Sequence, residues 1–326
     1  MRALATVSLL FVLALVSVSA YLRLDNSGIG CADWPACYGR IGAPAEEVPT
    51  VGSTYERLAL EAQQPLSWVT PLHRLIASVL GLLILGMALL SLRQRRDRLL
   101  SLILLAQTVF LAWLGIYSGG LHSPAVVMGN LAGGFAMLGL LGWMIFRNTG
   151  RASNAPTMVR RWVAAAALLL CVQIVLGALT SANFAASACQ TVPDCHGSWL
   201  PGGNLWQAFD LTRQHEIDPA GFALGGPERA DIHKLHRIFA LLTLLVTAVA
   251  GTIALRAKLG FTAVAVIALV ASEFAVGVAA ILTDLPIGIA VAHNWLAAVL
   301  VLALIVGGKT AGIKGIDGAI EIDILI

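Results

Sequence analysis

Four polar residues lie at matching positions in long apolar segments of this chain. His73 and His236 are 163 residues apart, and so are Asn130 and His293 (236 minus 73; 293 minus 130). A histidine inside a membrane segment is costly unless it faces the helix bundle and meets a partner, so each is a candidate functional residue. Two neutral imidazoles from facing helices can bind a haem iron from both sides, although interhelical hydrogen bonds are a plainer alternative. The repeated spacing predicts a duplicated membrane protein that binds haem.

An arginine directly follows the first histidine of each pair, at Arg74 and Arg237. Near the membrane surface a guanidinium can bind a haem propionate in bidentate fashion. A single arginine of this kind could equally extend its side chain to the interface without a ligand. Because the His-Arg dipeptide recurs at the same offset, we predict propionate binding for both arginines.

Glu273 is the one acidic residue well inside an apolar segment. It lies four residues before Gly277, and Gln173 lies four residues before Gly177. A glycine at such a position allows close approach of a helix or a flat ligand. The carboxyl group of Glu273 could relay protons, and a hydrogen bond to a neighbouring helix is the alternative.

The composition indicates an all-α integral membrane protein. Hydrophobic residues make up 58% of the 326 positions, charged residues 12%, and the mean hydropathy is +0.83, which is typical of membrane proteins. A bilayer core of roughly 30 Å requires about 20 apolar helical residues. We predict two four-helix halves, residues 1–150 and 151–326, related by a pseudo-two-fold axis along the membrane normal. The eight predicted spans are 3–22, 75–92, 99–121, 123–146, 162–182, 238–255, 259–283 and 285–308.

Basic residues predict the orientation of these spans. They cluster in three short connections, at 93–98, 147–161 and 256–258, and such clusters stay on the cytoplasmic side. Both termini are therefore predicted to be cytoplasmic, and the long loops 23–70 and 183–232 to face outward. The first span could also be a cleaved signal peptide, but four helices in each half favour its retention. We predict a bacterial plasma membrane protein that contacts lipid and no nucleic acid.

Each predicted outer loop contains one C-x5-C motif with a proline between the cysteines. Cys31 and Cys37 form the first motif, and Cys189 and Cys195 form the second, 158 residues later. The outer face of a plasma membrane is oxidising, so we predict a local disulfide in each motif. Redox-active thiols and a metal site are the alternatives.

The chain resembles the haem A synthases, a family of bacterial and mitochondrial membrane enzymes. The resemblance covers nearly the whole chain and rests on the first cysteine motif and the two His-Arg dipeptides. The remaining matching segments are 124–134, 181–189 and 290–294. Together these motifs are specific, whereas the His-Arg dipeptide alone would not be.

The resemblance implies an oxidoreductase that acts on haem O. It implies that the methyl group at ring position 8 is oxidised to a formyl group through hydroxylated intermediates. By the same resemblance, the second half binds haem b through His236 and His293, with Arg237 at its propionates. The first half binds the substrate haem O through a catalytic His73, with Arg74 nearby. Expected partners include a haem O synthase, oxidase assembly factors and a second copy of the chain.

Two residues of the first half depart from the family pattern. The family carries a glutamate one helical turn before the first His-Arg dipeptide, where this chain has Thr70. Its second histidine falls on Asn130, which is a poor iron ligand. Substrate haem could then be held by His73 alone, or His122 could serve as the second ligand, or the first half could have lost catalysis.

Two other functions are compatible with the same histidines. One is a di-haem membrane cytochrome b that transfers electrons from quinol, and the other is a haem transporter or chaperone. The cysteine motifs and the two large outer loops favour the synthase, because a simple cytochrome requires neither.

Overall fold

The structure consists of membrane-length helices. It is a computed structural model and describes residues 1–24, 68–117, 124–147, 155–213 and 226–313. The described residues form α1 (Arg2–Leu24), α2 (Val69–Gln94), α3 (Arg98–Tyr117), α4 (Pro124–Phe146), α5 (Thr157–Ala182), α6 (Pro227–Arg256), α7 (Gly260–Leu282) and α8 (Ile287–Thr310). Two short 3-10 helices, η1 (Ala185–Ala188) and η2 (Leu205–Phe209), lie between α5 and α6. All eight α-helices are long and apolar enough to cross a membrane, which confirms the predicted fold class.

The helices pack in the same order at both ends of the chain. α1 contacts α2 and α4, and α3 contacts the same two helices. α5 likewise contacts α6 and α8, and α7 contacts the same two. The two groups meet where α1 and α4 pack against α5 and α8. This shared order agrees with a duplication, whereas the pseudo-two-fold axis and the boundary near residue 150 stay predictions.

Apolar side chains cover both the inner and the outer surfaces of the helices. Ile84, Leu104 and Leu138 are fully buried where α2, α3 and α4 meet. Leu82 on α2 is 69% exposed and Phe261 on α7 is 87% exposed, as expected for side chains that contact lipid. Helices satisfy their backbone hydrogen bonds internally, which is a requirement for any segment that crosses a bilayer.

α6 begins eleven residues before the apolar span that the sequence predicts (238 minus 227). Pro227 occupies its first turn and follows Gly226, an arrangement that favours a helix start because proline lacks an amide hydrogen to satisfy there. The hydropathy-based span left out residues 227–237 because several of them are charged. In the structure the carboxylate of Glu228 is fully buried. It accepts a hydrogen bond from the Gly226 amide at 3.0 Å and pairs with Arg213 at 2.8 Å.

The loop between α5 and α6 is held against the polar end of α6. The guanidinium of Arg229 donates to the carbonyl of Phe184. The amide of Gly202 donates to the carboxylate of Asp231 at 2.6 Å. The described part of this loop, residues 183–213, therefore covers the end of the C-terminal four helices at which His236 lies.

Candidate haem-binding sites

The imidazoles of His236 on α6 and His293 on α8 lie close enough to interact electrostatically. Each has a polar neighbour on a different helix. Gln173 Nε2, from α5, lies 3.1 Å from His236 Nδ1 and 3.4 Å from its Nε2. Glu273 Oε1, from α7, lies 3.2 Å from His293 Nδ1. All four helices of the C-terminal group therefore contribute to one polar cluster within the membrane-spanning region.

Two glycines make room for these imidazoles. A methyl group added at Gly177 would lie 3.2 Å from Cε1 of His236, and one added at Gly277 would lie 3.0 Å from Cε1 of His293. The sequence indicated close approach at both glycines without identifying the approaching group. The structure identifies it as the imidazole ring in each case.

The donor set of this cluster suits a haem iron that would be held by two imidazoles. The donors are two histidines on separate helices, and each has its Nδ1 beside a polar group of a neighbouring helix. A hydrogen bond at one ring nitrogen leaves the other available to a metal. The haem-ligand roles of His236 and His293 stay predictions that the geometry favours.

Arg237 contacts protein carbonyls in this structure. Its Nη1 donates to the carbonyls of Thr191 and Asp194 at 2.7 and 2.8 Å, and its Nη2 donates to the carbonyl of Cys189 at 2.5 Å. Cys189 and Cys195 form a disulfide, as the sequence predicted, so Arg237 anchors the disulfide loop next to His236. Propionate binding by Arg237 stays a prediction.

The other histidines of the chain differ in their surroundings. His233 is buried one turn before His236. His196 is an exposed loop residue whose Nε2 lies 3.3 Å from the Ala188 carbonyl. The proposed alternative ligand His122 lies outside the described residues, as do Cys31 and Cys37.

The N-terminal four helices enclose a cavity of about 300 Å³. This volume lies at the lower end of the usual range for ligand pockets. Three predicted site residues line it, namely His73, Arg74 and Asn130. Arg23 and Ser19, which were not predicted as site residues, line it as well. The remaining walls are mostly apolar. None of the described residues that line the cavity is acidic.

Arg23 is the functional candidate that the sequence analysis missed. It lies in the last turn of α1, and its Nη1 donates to Ser19 Oγ at 2.9 Å. Both arginines of the cavity, Arg23 and Arg74, are within electrostatic range of His73. An available signal was its position at the predicted outer end of a span, because the positive-inside tendency disfavours arginine there.

Asn130 faces the cavity but bonds within its own helix. Its Nδ2 donates to the carbonyl of Val126 at 3.0 Å. Thr70 lies half-buried in the first turn of α2, outside the set of residues that line the cavity. His73 is therefore the only imidazole among the described residues that line this cavity.

Comparison with known proteins identifies the family of this chain. The sequence profile of COX15-CtaA, described as cytochrome oxidase assembly protein, matches residues 2–305. The chain belongs to the COX15-CtaA family. A curated relative named heme A synthase from Shewanella oneidensis is 33% identical over 309 residues, 92% of this chain and 93% of the relative. Proteins of the same name from Rhizorhabdus wittichii and Allorhizobium ampelinum are 26% and 28% identical, and cover 91% and 95% of this chain and 90% and 89% of their own lengths.

This member of the COX15-CtaA family contains two histidine sites with different surroundings. In the C-terminal group, two imidazoles are each held by a polar side chain and a glycine. In the N-terminal group, one imidazole and two arginines line a largely apolar cavity. The first environment suits a resident ligand, and the second suits a ligand with an apolar body and acidic groups.

Proposed function

We propose that this chain is an oxidoreductase of haem A biosynthesis that acts on haem O. In this proposal the methyl group at ring position 8 becomes a formyl group through hydroxylated intermediates. The overall change replaces two hydrogens of the methyl group with one oxygen; with water as the source of that oxygen, it releases four protons and four electrons, which an electron acceptor must take up. Family membership and the names of the bacterial relatives support the proposal. The structural observation that carries it is the cavity lined by His73, Arg74 and Arg23.

Substrate binding follows from the chemistry of that cavity. Its apolar walls suit the porphyrin and the hydrophobic tail of haem O, and the two guanidiniums suit its carboxylates, which they can bind through charge-assisted hydrogen bonds. His73 is the proposed catalytic residue and the axial ligand of the substrate iron. With Asn130 bonded to its own helix, we favour ligation by His73 alone over the two other possibilities.

The C-terminal four helices hold the proposed cofactor. His236 and His293 would bind haem b, which when bound would take up electrons one at a time and pass them to a further acceptor. Gln173 and Glu273 would hold the two rings at Nδ1, and Arg237 would fix the disulfide loop at the outer end of the site. The protein's contribution is thus to position both porphyrins.

The protein is a multi-pass membrane protein, and we place it in the bacterial plasma membrane with both termini in the cytoplasm. The bacterial relatives support the membrane, and the basic connections between spans support the orientation. Haem O would come from a haem O synthase, and oxidase assembly factors would receive the product. Association with these proteins, or with a second copy of the chain, belongs to the same proposal.

Analysis of extracted pigments tests the function. The chain is expressed with a haem O synthase in a host that makes no haem A, and the extracted haems are identified by mass spectrometry. We expect hydroxylated and formyl derivatives of haem O with the unaltered chain and with His196→Ala, an exposed loop histidine that serves as a control. His73→Ala should yield haem O alone. If the unaltered chain also yields only haem O, while showing a b-type spectrum, the electron-carrier alternative is supported instead.

A further inference from the structure

The two imidazoles of the C-terminal group are held by one repeated pattern. On α5, Gln173 contacts His236 Nδ1, and one turn later Gly177 leaves room for Cε1 of the same ring. On α7, Glu273 contacts Nδ1 of the histidine on α8, and one turn later Gly277 leaves room for its Cε1. Each ring is thus fixed at two adjacent ring atoms by a single neighbouring helix.

Apart from their contacts with the two histidines, Gln173 and Glu273 have no assigned role. Gln173 Oε1, Glu273 Oε2 and His293 Nδ1 are buried without a hydrogen bond among the described residues, although Glu273 Oε1 lies 3.2 Å from His293 Nδ1. Polar side chains at membrane depth are costly unless they meet a partner. A half-turn of the Gln173 amide exchanges its oxygen and nitrogen, which would give Oε1 a partner at His236 Nδ1. Both helices would then present an oxygen to an imidazole.

We propose that Gln173 and Glu273 are positioning residues for the two histidines, and this rests on the proposed binding of haem b by those histidines. Each oxygen accepts the hydrogen on Nδ1, which fixes the tautomer and leaves Nε2 for the iron. A hydrogen bond at Nδ1 also makes the imidazole a stronger donor to the metal. The two side chains therefore determine ring orientation and lower the reduction potential of the haem.

The described helices of the N-terminal group do not have these two polar acceptors. Leu15 and Ser19 lie 158 residues before Gln173 and Gly177 (173 minus 15; 177 minus 19), the same offset that separates the two cysteine motifs. Leu111 and Gly115 lie 162 residues before Glu273 and Gly277 (273 minus 111; 277 minus 115), so the glycine recurs but the acid is replaced by a leucine. All four of these residues line the N-terminal cavity. Polar acceptors therefore occur beside the proposed resident haem, and apolar side chains beside the proposed substrate.

The test uses the full-length protein purified in detergent with its haem. Gln173→Leu and Glu273→Leu remove one acceptor each, and Gln107→Leu is the matched control, because Gln107 bonds the Gly133 carbonyl at 2.7 Å in the other helix group. We expect each acceptor-free variant to raise the midpoint potential of the b-type haem and to alter its low-spin electron paramagnetic resonance g-values. The control should change neither. Glu273→Gln, which retains an acceptor oxygen, should restore the midpoint potential and g-values toward those of the unaltered protein.

Two outcomes separate this proposal from the one on which it rests. Unchanged potentials and g-values in both acceptor-free variants, with haem b retained, would overturn the positioning role and leave the cofactor assignment intact. Absence of a b-type haem from the unaltered protein would instead overturn the cofactor assignment. If a leucine variant does not accumulate, Gln173→Met or Glu273→Met carries the test, since methionine is unbranched, similar in length and adaptable in a packed interior.

Discussion

The two groups of four helices place histidines on corresponding helices and surround them differently. Near His236 and His293 the neighbouring helices supply a glutamine, a glutamate and two closely fitting glycines. Near His73 the corresponding positions on α1 and α3 include Leu15 and Leu111, and a cavity of about 300 Å³ separates the helices. The two helix groups thus contain one closely packed polar site and one largely apolar cavity.

This difference corresponds to a physical requirement of the proposed reaction. A resident cofactor must stay bound through many turnovers, which favours two oriented ligands and close packing. A substrate must enter and leave, so strong ligation from both sides would slow its release. Under the proposed function, Asn130 in place of an imidazole and leucines in place of the acceptors would weaken the hold on a porphyrin, while the two arginines would still select for its carboxylates. The departures from the family pattern therefore fall in the half where weaker binding is tolerable.

Removal of either C-terminal imidazole should have the largest effect. We expect His236→Ala and His293→Ala each to abolish the low-spin b-type absorption spectrum of the purified protein, because one imidazole remains where two are required. His196→Ala, in the exposed loop, should leave the spectrum unchanged. Retention of the low-spin spectrum in either of the first two variants would remove the assignment of the resident haem to this pair.

Loss of an arginine in the N-terminal cavity should weaken substrate binding alone. A charge-assisted hydrogen bond contributes about 1.5–3 kcal/mol, so Arg23→Ala and Arg74→Ala should each raise the KM for haem O by roughly ten- to hundredfold. Arg93→Ala, at the exposed far end of α2, is the control. The b-type spectrum should persist in all three variants. A change confined to that spectrum would contradict the division of roles between the helix groups.

Asn130→His should make the two sites more alike. We expect the fold to survive and bound substrate haem to adopt a two-imidazole, low-spin spectrum. Product release should then slow by about tenfold, if the added iron–imidazole bond stabilises the bound state by roughly 1.4 kcal/mol. Stopped-flow and turnover measurements would detect the change. An unaltered substrate-haem spectrum would show that residue 130 does not face the iron.

The smallest effect is expected from a single methyl group at a glycine. In Gly277→Ala the new methyl would lie 3.0 Å from Cε1 of His293, and overpacking of this kind costs about 1–3 kcal/mol. We expect haem b to dissociate at a lower temperature in thermal melts followed by absorbance. Gly288→Ala, with no atom within 4 Å of the added methyl, is the matched control. Equal melting of the two variants would argue against a close fit around the imidazole.

Hydropathy predicted the membrane spans well and located their polar ends poorly. It found all eight helices because an uncharged run of span length has few alternatives to a helix in lipid. It placed the start of α6 eleven residues too late. It could not anticipate that the carboxylate of Glu228 would pair with Arg213, or that the carboxylate of Asp231 would accept a hydrogen bond from the Gly202 amide. Such partners come from a loop whose path is not encoded in local composition.

The candidate site was predicted only in part, because contacts between distant segments cannot be read from local sequence. Spacing alone singled out His73, His236 and His293, because a duplication repeats positions along the chain. It did not include Arg23, whose importance depends on α1 packing beside α2. It also could not assign contacts to Gln173, since the sequence shows only that a glycine follows one turn later.

The sequence by itself determined the class of protein, the number of helices and the residue types available to bind iron and carboxylates. Those properties depend on composition and on intervals along the chain, which the bilayer and the duplication constrain strongly. Only the tertiary structure decided which helix faces which histidine, that Arg237 bonds the disulfide loop, and that the N-terminal group leaves a cavity. These properties depend on distances between residues that are far apart in the chain, and packing of whole helices fixes them.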